Sequence, residues 1–155
     1  GFLVKIAQQP KTLPTYARQS FTAPQPRQPQ WIHRVIEPKK DTLAIPPGNY
    51  WSQEFNVTEQ MEGYKAKNYQ LHGRFEVQGG SKNDIRAYIF DRDGFVNWKN
   101  KNNYLRFYES GVVTVGNFDV TFNPGTYYLV FDNSMSFFSN KVVNLQMSVE
   151  VDQFR

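Results

Sequence analysis

From Asp41 onward the chain is written in short runs of alternating apolar and polar residues, separated by turn-forming residues. In residues 69–78, Leu71, Gly73, Phe75 and Val77 fall on one side, and His72, Arg74, Glu76 and Gln78 on the other. A period of two is the signature of a strand buried on one face. The same reading predicts strands over 42–45, 50–57, with Trp51, Phe55 and Val57 inward, and 84–91, with Ile85, Ala87 and Ile89 inward. Residues 126–132 are apolar on both parities, as in a central strand covered on both sides. Residues 141–151 carry a clean alternating set: Val143, Leu145, Met147, Val149 and Val151.

The turns are equally legible. Pro46-Pro47-Gly48-Asn49, Gly79 to Asn83 and Asn123-Pro124-Gly125 interrupt the runs. Arg92-Asp93-Gly94 reads as a tight hairpin turn, with residues 95–98 as the return strand and Lys99 to Asn103 as a solvated loop. A strand over 104–109 then ends at a Ser110-Gly111 turn. Residues 112–122 read as one long strand with a bulge at Gly116. The polar stretch 59–68 reads as loop. The sum is about eight or nine strands and no amphipathic helix. The pattern predicts an all-β fold, an antiparallel two-sheet sandwich, over residues 41–155.

Residues 1–40 have a different texture. Six of the nine prolines lie between Pro10 and Pro38, interleaved with glutamines, and no strand or helix period runs through them. This is the composition of an extended, disordered Pro/Gln-rich leader. Only Trp31-Ile32 and Val35-Ile36 are apolar enough to dock on the domain edge. The leader holds seven Lys/Arg and one acid, against eleven and thirteen in the remainder. The surplus of base therefore belongs to the leader and not to a folded face, which argues against a nucleic-acid partner. The opening residues, Gly1 to Ala7, fit the trailing edge of an export signal or anchor. A cell-envelope or extracellular location is expected on that reading.

Residues 123–133, NPGTYYLVFDN, are followed by SFFSNKVV over 136–143. This segment resembles the GOLD domain, the β-sandwich of the emp24/p24 proteins and of some Sec14-like lipid-transfer proteins. The resemblance implies a two-sheet antiparallel sandwich that serves protein or lipid interaction rather than catalysis. The cysteine pair of the p24 proteins is absent, since the chain has no cysteine at all. A stand-alone, bacterial-type member is therefore expected. No binding residues carry over from the family.

Candidate chemistry is sparse, and no cofactor is expected. Without cysteine there is no disulfide, thiolate metal site or Cys nucleophile. His33 and His72 have no metal-ligand neighbour at standard spacing, and His72 is expected to be an ordinary surface residue. Asp91 and Asp93 are a weak calcium pair, better explained by an ordinary Asp-Gly hairpin turn. Phe137-Phe138 stands out because two adjacent rings cannot both point inward from an extended segment. The pair either caps the sandwich edge or presents a ring to a lipid interface or partner, with Lys141 beside it. Trp98 and Tyr104, with Tyr88, form the alternative candidate, a carbohydrate platform. An unrecognised carboxylate hydrolase is the third reading. The expected function is a non-catalytic module binding protein or lipid near a membrane.

Overall fold

The computed structural model describes residues 23–80 and 82–155. Among these residues ten strands and one helix follow in order. They are β1 (Trp31–Val35), β2 (Lys39–Ile45), β3 (Tyr50–Val57), β4 (Gln60–Met61), β5 (Tyr64–Gln78), β6 (Ile85–Asp91), α1 (Arg92–Lys99), β7 (Tyr108–Val113), β8 (Val115–Phe122), β9 (Gly125–Asp132) and β10 (Lys141–Phe154). They form the antiparallel two-sheet sandwich that the alternation predicts. The first sheet has six strands, with β1 and β2 both on one edge of β10, β5 on its other side, and β4 and β8 beyond β5. The second has four, in the order β3-β9-β6-β7.

The inward positions of β3, β5, β6 and β10 are the predicted ones, whereas Val115, read from the sequence as inward, is exposed. Leu71, Phe75 and Val77 of β5, Val143 and Leu145 of β10, and Phe118, Val120 and Phe122 of β8 face Ile85, Ala87 and Ile89 of β6 and Tyr127, Leu129 and Phe131 of β9. Phe75, Phe131, Ile85 and Ile89 are fully buried. Burial of each such side chain is worth about 1.5–3 kcal/mol relative to exposure, before ordering costs.

Several local readings are corrected. The Asp91 to Trp98 segment is not a hairpin: residues 92–99 form α1. Asp91 is its N-cap and accepts a hydrogen bond from Gly94 N at 2.7 Å, satisfying one of the free amides of the first turn. Phe95 and Trp98, three residues apart, share the face that packs on the second sheet, where Tyr88, Phe90, Val130 and Tyr128 form a second apolar cluster with Tyr104. This cluster explains why residues 126–132 are apolar on both faces. Next, residues 59–68 are not loop. Glu62 and Gly63, with φ of 54° and 82°, turn β4 into β5, whose first residues are Tyr64 to Asn68. Finally, the long run 112–122 is two strands in different sheets. Thr114 is the corner, its carbonyl accepting from Val77 N at 2.9 Å. The strand read over 104–109 begins only at Tyr108, and Ser110-Gly111 is not its end but an irregularity within β7, where Gly111 has φ 69° and Ala87 N donates to Ser110 Oγ.

The folded region also reaches further back than residue 41. β1 pairs with β10 from Trp31↔Phe154 to Val35↔Glu150, and β2 begins at Lys39. Residues 23–30 have no regular secondary structure. The rest of the Pro/Gln-rich leader, with the apolar opening, lies outside the described residues. Among the described residues no helix is long and apolar enough to cross a membrane.

Candidate interaction site

The connection from β9 to β10 leaves the sandwich at its Asp132 end. Its eight residues, 133–140, contain no charged side chain. Asn133 sits at its base, 2% exposed. Its side-chain amide lies within donating distance of the carbonyls of Ile45 (3.0 Å), Pro46 (3.1 Å) and Ser139 (3.0 Å). Its backbone N donates to Asn49 O, and its own carbonyl accepts from Gly48 N. One buried asparagine thus ties this loop to the β2–β3 turn. Ser136 Oγ donates to Ser139 O and accepts from Ser139 N, which closes the tip on itself.

Lys141, expected at the surface, is instead 3% exposed. Its ammonium donates to Gly79 O, to Lys82 O and to Asp84 Oδ1 at 3.1 Å. A buried cation survives only with such partners. Lys141 therefore fastens the β5–β6 turn beneath the loop and is not presented to a partner. Gly79 and Gly80, both at positive φ, let that turn approach closely. A side chain at Gly79 would strike Asn140 O, and one at Gly80 the side chain of Ser139.

On this tied base Phe137 and Phe138 are 84% and 96% exposed, their ring centroids 6.4 Å apart. Met135 beside them is 37% exposed. Of the two readings open for the pair, the capping one is excluded, since neither ring covers the sandwich edge. Isolated exposed apolar residues such as Leu105 are ordinary on a protein surface. Two adjacent phenyl rings held clear of the fold are not.

The other candidates are placed differently. Trp98 and Tyr104 do not form an open platform. Trp98 packs against Tyr50, Tyr88 and Phe90, and Tyr104 against Tyr88 and Phe90, with Tyr88 only 3% exposed. The Tyr104 hydroxyl donates to Glu109 at 2.9 Å. Burial, with that carboxylate, pushes the phenol up to about 12. Asp91 is occupied as the helix cap and Asp93 lies in the first turn of α1. No group of three His, Asp or Glu side chains among the described residues is arranged to hold a metal ion. His33 and His72 are not isolated surface residues: both reach Glu150.

The described residues thus form a two-sheet antiparallel β-sandwich with loops at its ends. The profile of the emp24/gp25L/p24 family, the GOLD domain, matches residues 61–154, more than half of the chain, and the protein belongs to that family. No curated protein matches the full sequence. Among solved structures, the Yersinia pseudotuberculosis-derived mitogen aligns at 11% identity and a TM-score of 0.40, over 71% of this chain and 85% of its own. A family 29 carbohydrate-binding module aligns at 8% identity and a TM-score of 0.27, over 72% and 92%.

Proposed function

We propose that the protein is a non-catalytic interaction module that engages a lipid interface through Phe137 and Phe138. The observation that carries this reading is their nearly complete exposure on a loop whose base is tied down by Asn133 and Lys141. A pre-ordered loop loses little conformational freedom on binding. Its uncharged tip has no ionic group to desolvate, so both rings can enter the apolar edge of a bilayer. Membership of the GOLD family supports a binding role. With that role goes a proposed location at a membrane surface of the cell envelope or outside the cell.

The test is co-sedimentation of the chain with phosphatidylcholine vesicles, with and without phosphatidylserine, at low and high salt. The expected result is binding to both vesicle types that salt does not abolish. The double variant Phe137→Ser/Phe138→Ser should lose roughly tenfold in affinity per ring, a fraction of full phenyl burial. Unchanged binding by that variant would remove the loop from the reading. Binding confined to anionic vesicles at low salt would assign the contact to the basic N-terminal segment instead. If the chain binds no vesicle, the lipid reading fails.

A further inference from the structure

On the outer face of the six-stranded sheet a row of ionisable side chains crosses four strands. Asp119 of β8 lies opposite His72 of β5, and His33 of β1 lies opposite Asp152 of β10. Glu150 of β10 stands between the two histidines. His33 has Nδ1 2.7 Å from Asp152 Oδ1 and Nε2 3.0 Å from Glu150 Oε1. His72 has Nδ1 3.2 Å from Asp119 Oδ1 and Nε2 against the other oxygen of Glu150. Asn68 donates to the second oxygen of Asp152 at 2.8 Å, and Lys67 adds a favourable charge near it.

Every ring nitrogen in this row faces a carboxylate oxygen. An ionised carboxylate only accepts, and a neutral imidazole has a single N–H. A neutral histidine here would turn one lone pair toward a negative oxygen. Only the imidazolium, with two N–H groups, satisfies both sides.

The strand that depends on this row is β1. It is an edge strand, and none of its residues belongs to the inter-sheet core. Besides its ladder to β10, it is held by the Trp31–Phe154 ring contact, by Lys67 over the Trp31 ring, and by Arg34, which donates to Glu62 and Gln153. We propose that the row is a proton-operated clasp: protonated His33, bridging Asp152 and Glu150, holds β1 against the sheet, and loss of its proton loosens β1.

The direction of each shift agrees with the geometry. The hydrogen bonds to Glu150 and then Asp152 raise His33 above its ordinary value. His33 and then His72 lower Glu150, and Asn68 and then His33 lower Asp152. A raised histidine contributes fully below its unfolded value of about 6.5 and loses that contribution as pH rises through its folded value. The lowered carboxylates contribute above their unfolded values near 4 and lose it as pH falls. The clasp is therefore tightest in mildly acidic solution and opens toward alkaline pH.

The experiment is an NMR titration of the whole chain, following the imidazole protons together with amide protection, corrected for intrinsic exchange, between about pH 5.5 and 8.5. The expected result is a His33 midpoint above its ordinary value, with protection of residues 31–35 falling through that midpoint while β5 and β9 stay protected. Glu150→Gln, which keeps the shape and removes the shared charge, should flatten the pH dependence in β1. Equal β1 protection across the range, or the same pH dependence in Glu150→Gln, would overturn the proposal.

Discussion

The ring of Phe75 on β5 occupies the space above Gly116, its register partner on β8. Two positions along the same ladder the roles reverse, and the ring of Phe118 on β8 fills the space above Gly73 on β5. Both rings are buried, Phe75 completely and Phe118 to 4% exposure. Neither glycine has a positive φ, so each is there for space and not for conformation. Substituting Gly116→Ala should therefore destabilise the protein by about 1–3 kcal/mol, the range for overfilling a packed core. Urea unfolding measures this, and Phe75→Leu in the same chain should recover part of the loss.

Asn133→Ala removes a donor that reaches three carbonyls at once. Leaving buried acceptors unpaired costs about 1–3 kcal/mol. The loss should be accompanied by faster amide exchange in residues 134–140, and vesicle binding should weaken without any change to the rings. Asn133→Asp should not rescue, because a carboxylate has no N–H to offer.

Phe137→Ser/Phe138→Ser should leave stability within about 0.5 kcal/mol of the parent, as befits side chains that touch little of the fold. Thermal unfolding checks this. A large loss of stability would mean that the rings serve packing and not a partner.

Tyr104 should remain protonated up to about 12 in a spectrophotometric titration compared with Tyr104→Phe. Its folded value is raised, so its contribution to stability is complete below the unfolded value of about 10 and disappears as pH climbs through the folded value. Glu109→Gln should bring the phenol down.

Much of the sandwich can be read directly from residue order, because its central strands bury one face against the other sheet. Leu71-x-Gly73-x-Phe75-x-Val77 and Val143-x-Leu145 declare their inward side without help. The failures have physical causes. Asp-x-Asp-Gly suits a hairpin turn and a capped helix start equally well, and the i, i+3 spacing of Phe95 and Trp98 is the one local sign of the helix. Residues 64–68 look like loop because that end of β5 is mostly exposed. β1 hides among prolines because its partner lies more than a hundred positions away. The same separation conceals the histidine row, whose members meet only through strand pairing. In the Phe137–Phe138 loop the residue types were visible, but their exposure depends on Asn133 reaching back to Ile45 and Pro46.

Among the described residues, β10 is the sole ladder partner of both β1 and β2. On the ribosome, residues 31–45 emerge long before residues 141–154 exist. Until then both strands are edges with nothing to pair with, exposed to other chains and to chaperones. Closure of the six-stranded sheet is thus deferred to a late, long-range event, the kind of topology that folds slowly. Much of the exposed time of the nascent chain is set by where its fourteen-residue strand lies in the gene.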